Sequence, residues 1–314
     1  MNNRFRNRRT KMEHNLEQIE QGLSLLHDGS QMETCRLFRG IEVSFFTFRS
    51  DQLTLPHDAL AHILEINYCR AGRMGWKMEN GNTVYLGPGN YSLHTMDVCA
   101  NSVMTFPNNY YEGFALCVDL DLLSSDPPEL LSGTGITGEF LHQKFCKSGV
   151  LTSFAGNAQT ESIFSGFYDQ PDEFSLPYRK LKALELLLYL GKCSVSVNEH
   201  LADYQADQVE IIRNIHEQLT RHMEQHFTIE SLAKQYLINP TTLKTVFKAV
   251  YGNSIAAHTR EHRMERAASL LLETQDSISK IAQAVGYGNQ SKFTAAFKEY
   301  FQVLPTEYRR QHQA

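Results

Sequence analysis

Residues 228–252, TIESLAKQYLINPTTLKTVFKAVYG, and residues 277–305, SISKIAQAVGYGNQSKFTAAFKEYFQVLP, decide the fold of this chain, because the second stretch repeats the plan of the first. Each opens with a short helix whose inward pair is Leu232-Ala233 in one copy and Ile281-Ala282 in the other. Each then breaks at a turn, near Leu237 to Asn239 and at Gly286-Tyr287-Gly288. A second helix follows, with Leu243, Val246 and Phe247, or Phe293, Ala296 and Phe297, at helical spacing. Leu232 pairs with Ile281 at an offset of 49 residues and Leu243 with Phe293 at 50, so the second turn carries one extra residue.

Bare αα-hairpins would satisfy that spacing too. The outer faces distinguish the two readings. Pro240, Thr241, Thr242, Lys244, Thr245 and Lys248 in the first copy are short polar or basic, as are Asn289, Gln290, Ser291, Lys292, Thr294 and Lys298 in the second. A helix that reads base edges in a major groove needs small hydrogen-bonding side chains in its first turns and cations to hold phosphate. Lys248, Lys292 and Lys298 are placed for phosphate, and Asn289 reads as a helix cap. Between the copies, Met264, Ala267, Ala268 and Leu271 fall at i, i+3, i+4 and i+7, which predicts one connecting helix over Ile255 to Glu273. If it spaces the two reading helices by one DNA turn, about 34 Å, one chain reads two successive major grooves. Val209 to His226 adds an amphipathic helix ahead of the first copy.

The net charge of −5 hides an asymmetry: from Thr228 onward 11 Lys plus Arg face 7 Asp plus Glu, and before it 19 face 28. A basic end on an acidic body suits a nucleic-acid-binding domain joined to something else. Six dispersed cysteines without a CxxC pair read as reduced thiols, with a redox sensor as the alternative. The basic opening MNNRFRNRRTK has no apolar run behind it, and no window has the roughly 18 apolar residues of a membrane span, so a cytoplasmic protein is expected. That opening is either a disordered tail or an arm that touches DNA. No phosphate-binding glycine loop, HExxH or GxSxG is present, so no enzyme and no cofactor are expected.

From Cys35 to Asp119 the periodicity is that of strands, with short runs such as ILEINYC, TVYL and FALCV separated by Gly, Asn, Asp and Pro. Turns every 8 to 12 residues predict a small antiparallel barrel or sandwich. Asn80-Gly81 is the clearest hairpin. His57, His62, Glu65, Gly72, Gly81, Pro88-Gly89 and His94 resemble the two motifs of a cupin barrel, but the spacing of His57 and His62 does not turn both inward, so no metal is assigned. The expected cavity is lined by Glu65, Asn67, Tyr68, Arg70, Trp76, Tyr85 and His94. Alternation puts Glu65 and Asn67 on one face and Tyr68 and Arg70 on the other, leaving open which face is the lumen. Trp76 is either core filler or a platform for the ligand.

The resulting fold class is α+β: a basic arm and short helix over 1–33, a cupin-like effector-binding barrel over 34–125, a loop, helical segment and linker over 126–205, and an all-α domain with two helix-turn-helix units over 206–314. After Pro177 a helix carries Leu181, Leu184 and Leu188 as one stripe, either buried within the chain or forming the seam of a homodimer.

The C-terminal stretch resembles the AraC/XylS family of transcriptional regulators, on Leu232-Ala233, on AQAVGYGNQSKFTAAFK from Ala282 to Lys298, and on the ending Phe301 to Arg309. Gln302 and Leu304 depart from that family's usual Gly and Ser before the proline. The resemblance implies base contacts from Thr241, Lys244, Thr245, Gln290, Ser291 and Thr294. It also implies double-stranded DNA, RNA polymerase and a small-molecule effector as partners. LEINYCRAGRMGWKMENGNTVYLGPGNYSLHTM, LKALELLLYL and INPTTLKTVFKAVYG are similar to a narrower, PchR-like siderophore-responsive branch, which implies a ferric siderophore as effector near Arg70 and Arg73. A metal-dependent cupin-type enzyme and a protein-binding helical scaffold are the alternatives from other classes.

Overall fold

The computed structural model describes residues 11–24, 28–77, 81–100, 102–149, 151–194 and 203–312. Most of the basic opening, Asn80 of the expected hairpin and most of the expected linker fall outside them. The chain divides into two units, Met1–Gln205 and Ala206–Ala314.

The first unit runs α1 (Lys11–Ser24), β1 (Gln31–Phe38), β2 (Ile41–Phe48), β3 (Gln52–Leu53), β4 (Ile63–Gly72), β5 (Met74–Lys77), β6 (Asn82–Leu86), β7 (Tyr91–Thr95), α2 (Met96–Cys99), β8 (Val103–Thr105), β9 (Tyr111–Asp119), α3 (Leu120–Ser125), α4 (Gly138–Leu141), β10 (Thr152–Phe154), α5 (Ala158–Ser165), α6 (Asp172–Lys192) and β11 (Asp203–Gln205). Its strands form a six-stranded sheet ordered β1-β2-β9-β4-β7-β10 and a five-stranded sheet ordered β11-β6-β5-β8-β3. Among the described residues no ladder joins the two sheets, so they close no barrel. Turn spacing alone cannot separate the two outcomes, because barrels and sandwiches share it.

The six-stranded sheet is buried on both faces, which is why β4 and β9 read as near-continuous apolar runs. One face packs Leu64, Ile66, Tyr68, Phe114 and Leu116 against Phe164 of α5 and Ala183, Leu184, Leu187 and Leu190 of α6. The other packs Phe48, Ile63, Cys69 and Cys117 against Met74, Trp76, Val84 and Leu86 of the second sheet, with Met12, Leu16 and Leu23 of α1 in the same cluster. Tyr111, fully buried, donates its hydroxyl to the Tyr68 carbonyl at 3.2 Å.

Three boundaries differ from the sequence reading, one being the helix expected over Val209 to His226, which runs over Ala206–Arg221. α6 begins at Asp172, five residues ahead of Pro177, and keeps that proline inside the helix. Pro177 is the sixth residue of the helix and forgoes one i→i−4 bond, to the Glu173 carbonyl, while Asp172 and Glu173 in the first turn complement the helix dipole. At the far end of the expected linker, Asp203, Tyr204 and Gln205 pair with Val84, Thr83 and Asn82 as an edge strand.

The second unit is all helix: α7 (Ala206–Arg221), α8 (Ile229–Gln235), α9 (Pro240–Tyr251), α10 (Ile255–Glu273), α11 (Ile278–Ala284), α12 (Gln290–Phe301) and α13 (Pro305–His312). A capping box of Thr228 and Ser231 starts α8, and the Ser254 and Ser277 side chains accept from backbone N–H groups to start α10 and α11. Met264, Ala267, Leu271, Ile281, Ala282, Phe293 and Phe297 are fully or nearly buried together. The chain is thus α+β, a sheet-rich unit followed by a helical unit with two helix-turn-helix motifs.

Candidate nucleic-acid interface and effector cavity

The two turns of the helical unit are built alike to the hydrogen bond. Leu237 has φ of 53° and the next N–H, of Ile238, donates to the Ala233 carbonyl at 3.0 Å. Gly286 has φ of 80° and Tyr287 N–H donates to the Ala282 carbonyl at 2.8 Å. Both pairs keep the offset of 49. Asn239 and Asn289 then cap α9 and α12, their side-chain oxygens accepting from Thr241 N–H and Lys292 N–H at 2.8 Å each. The caps are offset by 50, so the additional residue is Gly288.

Those caps fix which side chains face outward. Thr241, Lys244, Thr245 and Lys248 are exposed on α9; Gln290, Ser291, Lys292 and Lys298 are exposed on α12, with Thr294 half-buried. Neither helix has an acid in its first turn, so both N-termini present N–H groups and a positive dipole end to an anion. Glu299, the one acid on α12, is paired with Arg260. α10 spans 19 residues, and at 1.5 Å per residue its length is about 28 Å.

The cavity of the first unit lies between its sheets. It is narrow, about 60 Å³, and lined by Leu16 and Ile19 of α1, by Phe46, Phe48, Met74, Trp76, Met96 and Met104, and by Glu65, Asn67, His57 and Cys99. Alternation along β4 resolves the face left open by the sequence: Glu65 and Asn67 point into the cavity. Tyr68 and Arg70 do not. Tyr68 packs among the helices, donating to Glu161 Oε2 at 3.3 Å. Arg70 stacks on Tyr168 at 4.3 Å and pairs with Glu112 at 2.9 Å and Asp169 at 3.3 Å. Tyr85 also lies elsewhere, its ring over Gly75 on the other face of the five-stranded sheet, where an added Cβ would come within 2.5 Å of it. His94 stands edge-on to Trp76 behind the lining, ring centroids 6.1 Å apart.

The polar residues form one floor. Glu65 and Asn67 are the cross-strand partners of His94 and Ser92. Asn67 Nδ2, Ser92 Oγ and both ring nitrogens of His94 are buried without hydrogen-bond partners. His94 Nε2 is 3.5 Å from Glu65 Oε2. Burial by itself would raise the Glu65 carboxyl, but His94 and His57 beside it bring it down to about 2. Cys99 Sγ lies 3.6 Å from Glu65 and 3.5 Å from His57 Nε2. Burial first, and then Glu65, push its thiol well above the ordinary range, so Cys99 is a neutral thiol. Ser92, Cys99 and the α1 residues were not legible as site residues, since each reads in sequence as ordinary strand or helix filling. All six cysteines are free. No described helix is long and apolar enough to cross a membrane.

Comparison with known proteins bears on the helical unit first. Residues 232–311 match the helix-turn-helix domain family. Over 88 residues the chain is 35% identical to the HTH-type transcriptional regulator AlkR of Acinetobacter baylyi, covering 28% of this chain and 29% of that protein. It is 24% identical over 261 residues to the virulence regulon transcriptional activator VirF of Yersinia enterocolitica, covering 76% of this chain and 86% of that one. Among solved structures, the C-terminal domain of AraT, a response regulator from Geobacillus stearothermophilus, is 36% identical over 33% of this chain and 87% of its own, with a TM-score of 0.32. The chain spans less than half the length of the first relatives it matches. These relatives are regulators by name, not enzymes, in agreement with the sequence reading.

Proposed function

We propose that the chain is a sequence-specific, DNA-binding transcriptional regulator of AraC type whose helical unit reads two adjacent major grooves. The observation that carries this is the duplicated motif itself: two turns closed by equivalent hydrogen bonds present two exposed polar and basic helix faces. The helix-turn-helix family match over residues 232–311 and the regulators the chain resembles support the same reading. Thr241, Lys244 and Thr245 contact bases in one groove and Gln290, Ser291 and Thr294 in the other, while Lys248, Lys292 and Lys298 hold phosphate. Because the two faces differ, the DNA site of one chain is asymmetric. Footprinting with purified protein tests this; protection of a palindrome within one monomer's footprint, or no retardation of any duplex at low salt, refutes it.

The first unit is the effector domain in this reading. Its inter-sheet cavity is about 60 Å³ against the several hundred typical of ligand pockets, so a ligand needs the lining to move, and Leu16 and Ile19 of α1 form part of that wall. Apolar walls around Glu65 and Asn67, with the Asn67 Nδ2 lacking a hydrogen-bond partner, suit a slender molecule with an apolar body and a neutral or cationic hydrogen-bonding head. An anionic head would meet the Glu65 carboxylate. A ferric siderophore, the effector implied by the front-half resemblance, is bulkier, and Arg70 and Arg73 lie away from the cavity, Arg73 against Gly87. Trp76 is the sole tryptophan and lines the cavity, so its emission reports occupancy directly. Titration with long-chain alcohols or amines should shift that emission and alter DNA affinity. A response to a ferric siderophore alone would establish the other effector class.

α6 supplies the dimer seam, with an altered residue set. Leu184 is buried inside its own unit, whereas Leu181 and Leu188 are 54% and 40% exposed, and Phe174 and Tyr178 extend the same stripe. Burial within the chain thus takes Leu184, and the exposed stripe of the same helix is the seam in this reading. RNA polymerase remains a proposed partner through the family resemblance.

A further inference from the structure

Three histidines of the helical unit converge outside the DNA-reading faces. His258 and His262 stand one turn apart on α10, and His216 reaches them from α7. His262 Nε2 lies 3.1 Å from His258 Nε2 and 3.5 Å from His216 Nε2. One ligating atom from each falls within 4.8 Å of the other two. Packing holds the rings in place: His216 stacks on Tyr251 at 4.4 Å, and His258 sits against Tyr251 and Phe247 at 4.8 and 5.4 Å.

A four-coordinate zinc-class ion, with nitrogens at about 2.0–2.1 Å, sets neighbouring ligand atoms about 3.3–3.4 Å apart, and the two observed spacings bracket that value. Each Nε2 of a neutral imidazole is either a donor or an acceptor. Three meeting at one point cannot all be satisfied by one another, whereas a cation accepts all three lone pairs. Burial and the neighbouring His262 push His216 down to about 4 and His258 down to about 3, so both are unprotonated at neutral pH. Glu265 Oε2 lies 3.7 Å from His262 Nδ1, beyond hydrogen-bond length but on the side away from the three Nε2 atoms. His258 is buried, while the side chain of His262 is 32% exposed and gives solvent access.

We propose that His216, His258 and His262 bind one divalent transition-metal ion of the zinc class, leaving a fourth position to water, and that the ion ties α7 to α10. This does not rest on the DNA reading. His258 and His262 are an i, i+4 pair on one helix, and the third ligand comes from a helix far earlier in the chain, with no sequence spacing that joins it to them.

The test is a titration of metal-stripped, tag-free full-length protein with Co²⁺, followed by displacement with Zn²⁺. Expected are one ion per chain, the intense visible bands of tetrahedral Co²⁺, and no thiolate-to-metal charge-transfer band. His262→Gln and His216→Gln should each weaken binding at least about tenfold, with circular dichroism unchanged. Absence of saturable binding by the folded protein overturns the proposal, as does binding unaffected in both variants. A thiolate band also overturns it, since that would place the ion on a cysteine and not on the three histidines. The wild-type spectrum decides the ligand type even where a variant fails to fold.

Discussion

Leu237 and Gly286 hold the same place in the two turns with unlike chemistry. Both have positive φ, which a leucine adopts only under strain. Leu237 is 93% exposed and loses no burial on truncation, so Leu237→Gly should leave stability unchanged or raise it by up to about 1 kcal/mol. At Gly286 an added Cβ would lie 2.4 Å from the Met223 carbonyl oxygen. Gly286→Ala should therefore destabilise the helical unit by about 2–3 kcal/mol. Urea unfolding of both variants checks the pair, and a loss at Leu237→Gly would contradict the strain argument. On the reading faces, Gln290→Ala should cost about 1–3 kcal/mol on the cognate duplex and relax base preference. Lys298→Ala should weaken all sequences alike and flatten the salt dependence by about one ion. Fluorescence anisotropy across salt concentrations separates these, and equal losses for both on random DNA would refute the division of roles.

At the scale of elements, the helical unit was largely legible because its signals are local: apolar spacing, Asn and Ser caps, and a repeat that checks itself. β4 was half legible. Alternation separates Glu65 and Asn67 from Tyr68 and Arg70, but a strand buried on both faces gives no polarity cue to which face meets the cavity. Only the packing of α5 and α6 settles it. α6 carries a prediction of its own. Leu181→Glu with Leu188→Glu should leave the fold intact and convert dimer to monomer in sedimentation, whereas Leu184→Ala should cost about 2–5 kcal/mol of stability. α1 carries another. Glu42, buried on β2, is raised to about 7 by burial and by Glu13 of α1, with Arg36 opposing and Glu17 adding. Its folded value lies above its unfolded one, so the stabilisation is complete below about pH 4.5 and is lost as pH rises through 7. Between pH 5 and 8 the wild type should lose up to about 3 kcal/mol relative to Glu42→Gln, read from urea midpoints. Parallel midpoints for the two proteins would show that Glu42 does not titrate there.

For the molecule as a whole, an effector changes DNA binding only if it favours one arrangement of the chain over another. Trp76 emission and DNA affinity should thus move together across a series of amphiphiles, and occupancy without any change in affinity would sink the switch. The doubly buried six-stranded sheet has a bearing on how such a change travels. Glu65 faces the cavity while its neighbours Leu64 and Ile66 face the helical layer that includes α6. On the proposed reading a ligand head and the α6 seam stand on opposite sides of one partition, with message and receiver separated by the sheet and the helix layer packed on it. Traffic across a partition runs both ways: whatever factor the effector adds to self-association, self-association returns to the effector's affinity, so the protein's sensitivity to its signal should rise with its own concentration.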